Sequence, residues 1–108
     1  MRLIFDDNDD VMAGLLSAMT EHRINEASIQ GANGILKAGL GNYMNGSRFM
    51  TKNFDHSLIK AGTGHFKRSK TDLFGVLKVI PEDIDSHVTV AKAIAAQDFE
   101  ITLAYYEY

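Results

Sequence analysis

The period of the apolar positions changes along the chain from helical to alternating and does not return. Leu3, Ile4 and Phe5 form a short first strand, closed by an acidic run at Asp6, Asp7, Asp9 and Asp10. Behind the acids, Val11, Met12, Leu15, Leu16 and Met19 recur at helical spacing and predict an amphipathic helix over about 8–22. That stripe assigns Leu16 to the core. Asp7 or Asn8 is placed to cap the helix, and Asp9 and Asp10 meet the positive end of its dipole. Clustered carboxylates also suggest a cation site, but ordinary capping preferences account for them.

From Ile24 the pattern alternates. Ala27 to Gly31 reads as a strand, Asn33-Gly34 as a hairpin turn, and Ile35 to Tyr43 as the returning strand. Residues 44–54 read as a loop and Phe54 to Phe66 as a strand, with a polar turn at 67–71. Leu73 to Ile80 is a nearly continuous apolar run, typical of a central strand, and Pro81 ends it. Residues 82–85 form a short acidic connection, and His87 to Ile94 fits either a strand or a short helix. Phe99, Ile101, Leu103 and Tyr105 alternate with Glu100, Thr102, Ala104 and Tyr106, which predicts a last strand.

Strand, helix and then consecutive strands predict a single α+β domain over 1–108, one main helix packed on a largely antiparallel sheet. A lone helix covers one sheet face. Apolar groups remain on the other, so the expectation is a homo-oligomer in which a second chain covers them.

Composition narrows the function classes. The 108 residues include no cysteine, which removes disulfide frameworks, thiolate zinc sites and cysteine nucleophiles. At 45% hydrophobic and 23% charged the chain is composed like an ordinary soluble domain. The longest apolar run near the start is too short for a signal peptide or a span, so a cytoplasmic protein with no membrane role is expected.

A formal charge of −3 argues against a whole-molecule polyanion binder, but the charge is uneven. Residues 45–70 carry Arg48, Lys52, Lys60, Lys67, Arg68 and Lys70 against Asp55 alone, a local +5 in a remainder of −8. His65-Phe66-Lys67-Arg68 mixes cations with an aromatic, a weak form of a nucleic-acid contact patch. A solvated hairpin tip gives the same pattern and is the stronger reading, with Arg68 exposed on it.

Catalytic spacing is missing. The histidines at 22, 56, 65 and 87 form no ligand pair at strand or helix spacing, and no serine lies in a Gly-x-Ser-x-Gly elbow. The glycines at 31, 34, 39 and 41 lack the Gly-Lys-Ser/Thr ending of a phosphate loop. Glu100, embedded in the last strand, is either a buried acid or a cross-strand partner, and the structural role is favoured. The residues singled out for ligand or partner contact are His65, Lys67, Arg68, His87 and Glu100. No catalytic residue, metal or cofactor is assigned, and a non-enzymatic binding module is favoured over an enzyme. The alternative is a small-molecule site at a subunit junction that uses His65, His87 and Glu100.

Arg2-Leu3 through Asp6-Asp7, with Val11, Leu15-Leu16 and His22-Arg23-Ile24, is similar to the opening strand and helix of the plants-and-prokaryotes conserved (PPC) domain. Ala27 through Lys37 and Leu40 through Tyr43 resemble that family's glycine-marked strands. Phe54 to Thr63 resembles the segment before its Gly-Thr, and Phe99-Glu100-Ile101-Thr102-Leu103 its closing strand. The resemblance spans nearly the whole chain. It implies a trimeric α+β scaffold, a protein partner, and an association with DNA through that partner. Two family features are missing. Leu73-Phe74-Gly75 stands where many prokaryotic members carry His-x-His, and Asp85-Ser86-His87 stands in place of Gly-Gly-His, so only His87 carries over as an implied ligand. No basic arm around Gly-Arg-Pro is present to act as an AT-hook.

Overall fold

The computed structural model describes residues 1–105, so Tyr106, placed in the last strand above, lies outside the described residues. The elements in chain order are β1 (Arg2–Ile4), α1 (Val11–Glu21), β2 (Glu26–Asn45), β3 (Arg48–Ser69), β4 (Asp72–Pro81), β5 (Val88–Ala95) and β6 (Glu100–Tyr105). All strand pairings are antiparallel, in the order β1-β6-β2-β3-β4-β5. β2 also pairs with β5, so the four strands β2 to β5 close on themselves. One helix on a six-stranded sheet makes the domain strand-dominated, a loose case of the α+β class.

The ring closes because β2 and β3 are long and bent. The sequence pattern predicts a turn at Asn33-Gly34, but the chain runs straight through it: β2 continues for 20 residues and reverses only at Gly46-Ser47. Asn33-Gly34 therefore marks a bend. Before it β2 pairs with β6, and after it with β5. Gly34 adopts φ 119°, and a Cβ there would lie 2.9 Å from the Cα of Phe99. Both the dihedral and the close approach of Phe99, just ahead of β6, require glycine. The predicted loop at 44–54 is correspondingly the hairpin tip and the start of β3. The ambiguous segment after His87 is a strand.

α1 packs against β5, β3 and β4. Val11, Leu15 and Met19 are its fully buried residues, with Met12 packed beside them. Leu16, expected in the core, is only half-buried, because the buried stripe follows the i, i+4 line and Leu16 sits one residue past it. The helix is capped by Asp10, whose carboxylate accepts from the Ala13 N–H at 3.0 Å, in place of Asp7 or Asn8. Asp7 instead pairs with Lys37 at 2.9 Å, and Asp9 accepts from the Asp6 N–H. No described helix is long and apolar enough to cross a membrane.

The core is formed by the inward residues of the sheet, the helix stripe and Phe99, with Leu36, Ile59, Leu77, Val79, Val88, Phe99 and Ile101 almost fully shielded. Phe5 and Phe99 pack as a tilted pair with centroids 5.9 Å apart. The outer face is less polar than solvent exposure favours. Ile35, Leu40, Met44, Phe49, Leu58, Phe74 and Val76 all remain exposed, and Ile35 lies directly opposite Leu58, as Met44 does opposite Phe49.

Candidate functional site

Alternation along β4 and β5 sends Leu77, Val79, Val88 and Val90 into the core, so Lys78 and Thr89 face outward. Register then brings Lys78 opposite Thr89 and Thr89 opposite Asn42 of β2, a row of polar side chains across three strands. Beside this row is an open cleft of about 440 Å³, lined also by Tyr43, Met44 and Phe49 from the hairpin tip and by Ser86 and His87 ahead of β5. The lining combines an ammonium, an imidazole and hydroxyls with a thioether and a phenyl ring. An adjoining hollow holds Asp83, Ile84 and Asp85. Asp83 is anchored there by Lys52 at 2.8 Å, and that hydrogen bond holds its carboxyl below the usual carboxylate range.

Of the residues expected to form a site, only His87 lines this cleft. His65 lies on the outer face of β3, 2.6 Å from Glu26 Oε1 through Nε2 and 3.4 Å from Ser28 Oγ through Nδ1. Glu100, at the start of β6, is half-buried and stands 3.9 Å from the Arg2 guanidinium, a diagonal cross-strand neighbour. The structure thus spreads His65, His87 and Glu100 over three places. Lys78, Asn42, Ser86 and Thr89 escape the sequence reading. The signal was present for Lys78, a lone cation in the apolar run 73–80 at an outward position of the alternation.

The basic end at residues 65–70 is also different from its pattern. Phe66 is 2% exposed and belongs to the core, so it presents no face for stacking on a base. Arg68 is not a free hairpin cation. Its Nε donates to the Ile24 carbonyl at 3.0 Å, Nη2 to Asn25 Oδ1 at 3.1 Å and Nη1 to the Lys70 carbonyl at 3.3 Å. The guanidinium ties the chain after α1 to the end of β3, and Lys67 and Lys70 are left as the exposed cations there.

A bound metal does not fit these side chains. Among the described residues no group of three His, Cys, Asp or Glu side chains converges. His87 shares its cleft with Lys78, whose ammonium opposes a cation.

No protein-family profile and no curated protein matches the sequence. Solved structures do. The chain is similar to a candidate DNA-binding protein from Ralstonia eutropha JMP134, at 14% identity and a TM-score of 0.76 over 97% of this chain and 76% of that one. It is similar to a metal-containing protein from Archaeoglobus fulgidus, at 15% identity and a TM-score of 0.74 over 97% and 78%. It also matches a plant- and prokaryote-conserved (PPC) protein from Pyrococcus horikoshii, at 10% identity and a TM-score of 0.72 over 100% and 79%. The fold is that of a PPC protein.

The PPC fold is not confined to one kind of protein. The longer α-acetolactate decarboxylase of Bacillus subtilis matches at 13% identity and a TM-score of 0.68, with 99% of this chain covering 52% of that one. At such identities the likeness carries the fold alone. Within this PPC fold, Leu73-Phe74-Gly75 occupies the free-edged first half of β4, with Phe74 exposed and Gly75 at φ 140°.

Proposed function

We propose that this chain is a non-enzymatic, self-assembling binding module of PPC type: a cytoplasmic homo-oligomer, with the trimer as its expected form, that recruits a protein partner and associates with DNA through that partner. The observation that carries the reading is the apolar outer surface of the sheet. Ile35 and Leu58 stand 39% and 43% exposed as direct cross-strand partners, and Phe74 and Val76 stand 58% and 45% exposed along a strand edge with no neighbour among the described residues. Paired apolar groups on a sheet face and an open edge are features that assemblies cover. Direct binding to nucleic acid is disfavoured, since Phe66 is buried and Arg68 is committed to its own backbone. Sedimentation velocity tests the reading: the native chain is expected to sediment as an oligomer at micromolar concentration, and Leu58→Asp with Phe74→Asp to dissociate it while leaving the fold intact. An unchanged oligomer in that double variant removes this face from the interface.

A second reading, a small-molecule-binding protein or enzyme with its site at a subunit interface, draws on the cleft beside Lys78 and His87 and on the fold shared with a decarboxylase. Of the polar groups first offered for it, only His87 is in the cleft.

A further inference from the structure

We propose that the cleft over β4, β5 and β2 binds a small organic monocarboxylate with an apolar body, its charged end at Lys78 and His87 and its body along Met44 and Phe49. The inference is built from one chain and is independent of self-assembly. Lys78 makes no hydrogen bond or ion pair with any described residue, whereas Lys52, near the adjoining hollow, donates to Asp83 at 2.8 Å. An outward lysine alone is ordinary. Here it stands in register with Thr89 and, through it, Asn42, so donors from three strands point to one side of the sheet. Ser86 and His87 add a hydroxyl and an imidazole to the lining of the same cleft. These groups suit a carboxylate, which accepts several hydrogen bonds and is strengthened by a charged donor.

The apolar part of the lining fixes the rest of the ligand. Met44 and Phe49 are register partners at the hairpin tip, are 53% and 71% exposed, and line the same cleft as the donors. A wholly polar anion would leave that apolar part in water, whereas an apolar body would cover it. The nearby acids do not neutralise the donors in place: Asp83 is held by Lys52, and Asp85 lines the adjoining hollow with it. A single ammonium in the lining favours a monoanion over a phosphate dianion.

Amide NMR of the full-length protein, titrated with phenylacetate, tests this. Saturable shifts are expected at residues 42–44, 78 and 86–89, with a dissociation constant on the order of millimolar. Uncharged phenylacetamide, and the variant Lys78→Met, should each weaken binding roughly tenfold or more, since a charged donor is lost from the contact. Lys92→Met, three residues along β5 from Thr89 and outside the cleft lining, should bind as the native chain does, and the dispersion of each variant's spectrum reports that it is folded. No saturable shift, shifts centred elsewhere, equal binding of phenylacetamide, or undiminished binding by folded Lys78→Met would each overturn the proposal. So would inorganic phosphate binding more tightly than phenylacetate.

Discussion

Arg68 stands in a run of cations, yet its three hydrogen bonds to Ile24, Asn25 and Lys70 make it a clasp between the end of α1 and the far end of β3. Removing it strands the Ile24 carbonyl and loosens a long-range contact. Arg68→Ala is therefore expected to cost about 1–3 kcal/mol in denaturant unfolding, against a change within about 0.5 kcal/mol for the exposed neighbour Lys67→Ala. Equal midpoints for the two variants would show that the clasp contributes nothing. The sequence could not separate these two residues, because charge is visible in it and direction is not. Direction follows from strict alternation only while no bulge intervenes, and β3 shifts register between Ile59 and Ala61, as β2 does between Ile29 and Gly31. Phe66 points inward for the same reason: the bulge upstream of it offsets the alternation and leaves no mark in composition.

At the level of elements, the helix was legible because its apolar stripe is long and its acids suit a helix start. Its inner line was not resolved to the residue. Leu15 is completely buried and Leu16 half-buried, so Leu15→Ala should cost about 2–5 kcal/mol and Leu16→Ala less than half as much, by thermal or denaturant unfolding. The reverse order would mean the helix is rotated about its axis. Asn-Gly is a strong turn signal and divides β2 into two strands in the sequence pattern, whereas in the structure Gly34 lies against Phe99 where β2 changes partner from β6 to β5. The Lys52–Asp83 pair links β3 to the connection after β4. Folding depresses the Asp83 carboxyl below its ordinary 3.8, so the stabilisation it brings is complete above that value and is lost as pH falls through the lower, folded value. In a carbon-detected NMR titration, Lys52→Met should raise the Asp83 midpoint. An unmoved midpoint would assign the depression to another cause.

On the scale of the whole molecule, the antiparallel sheet and single helix follow from the order of patterns along the chain, and so does the PPC resemblance. Ring closure does not: pairing of β2 with both β5 and β6 depends on bends that bring residues far apart in sequence together. The cleft shares that fate, since Asn42, Lys78 and Thr89 meet only through the closure. What the pattern did anticipate is surplus apolar surface, and the outer pair Ile35–Leu58, with Phe74 and Val76 along β4, is the part of it proposed for assembly. Burying such surface between copies contributes about 25 cal/mol per Å² of apolar area, against an entropic cost of association that only a closed, well-packed interface overcomes. Native mass spectrometry of the protein purified without chelator tests the claim of self-assembly most directly. The account predicts one dominant species of three copies at micromolar concentration. A spectrum of monomer alone would contradict it.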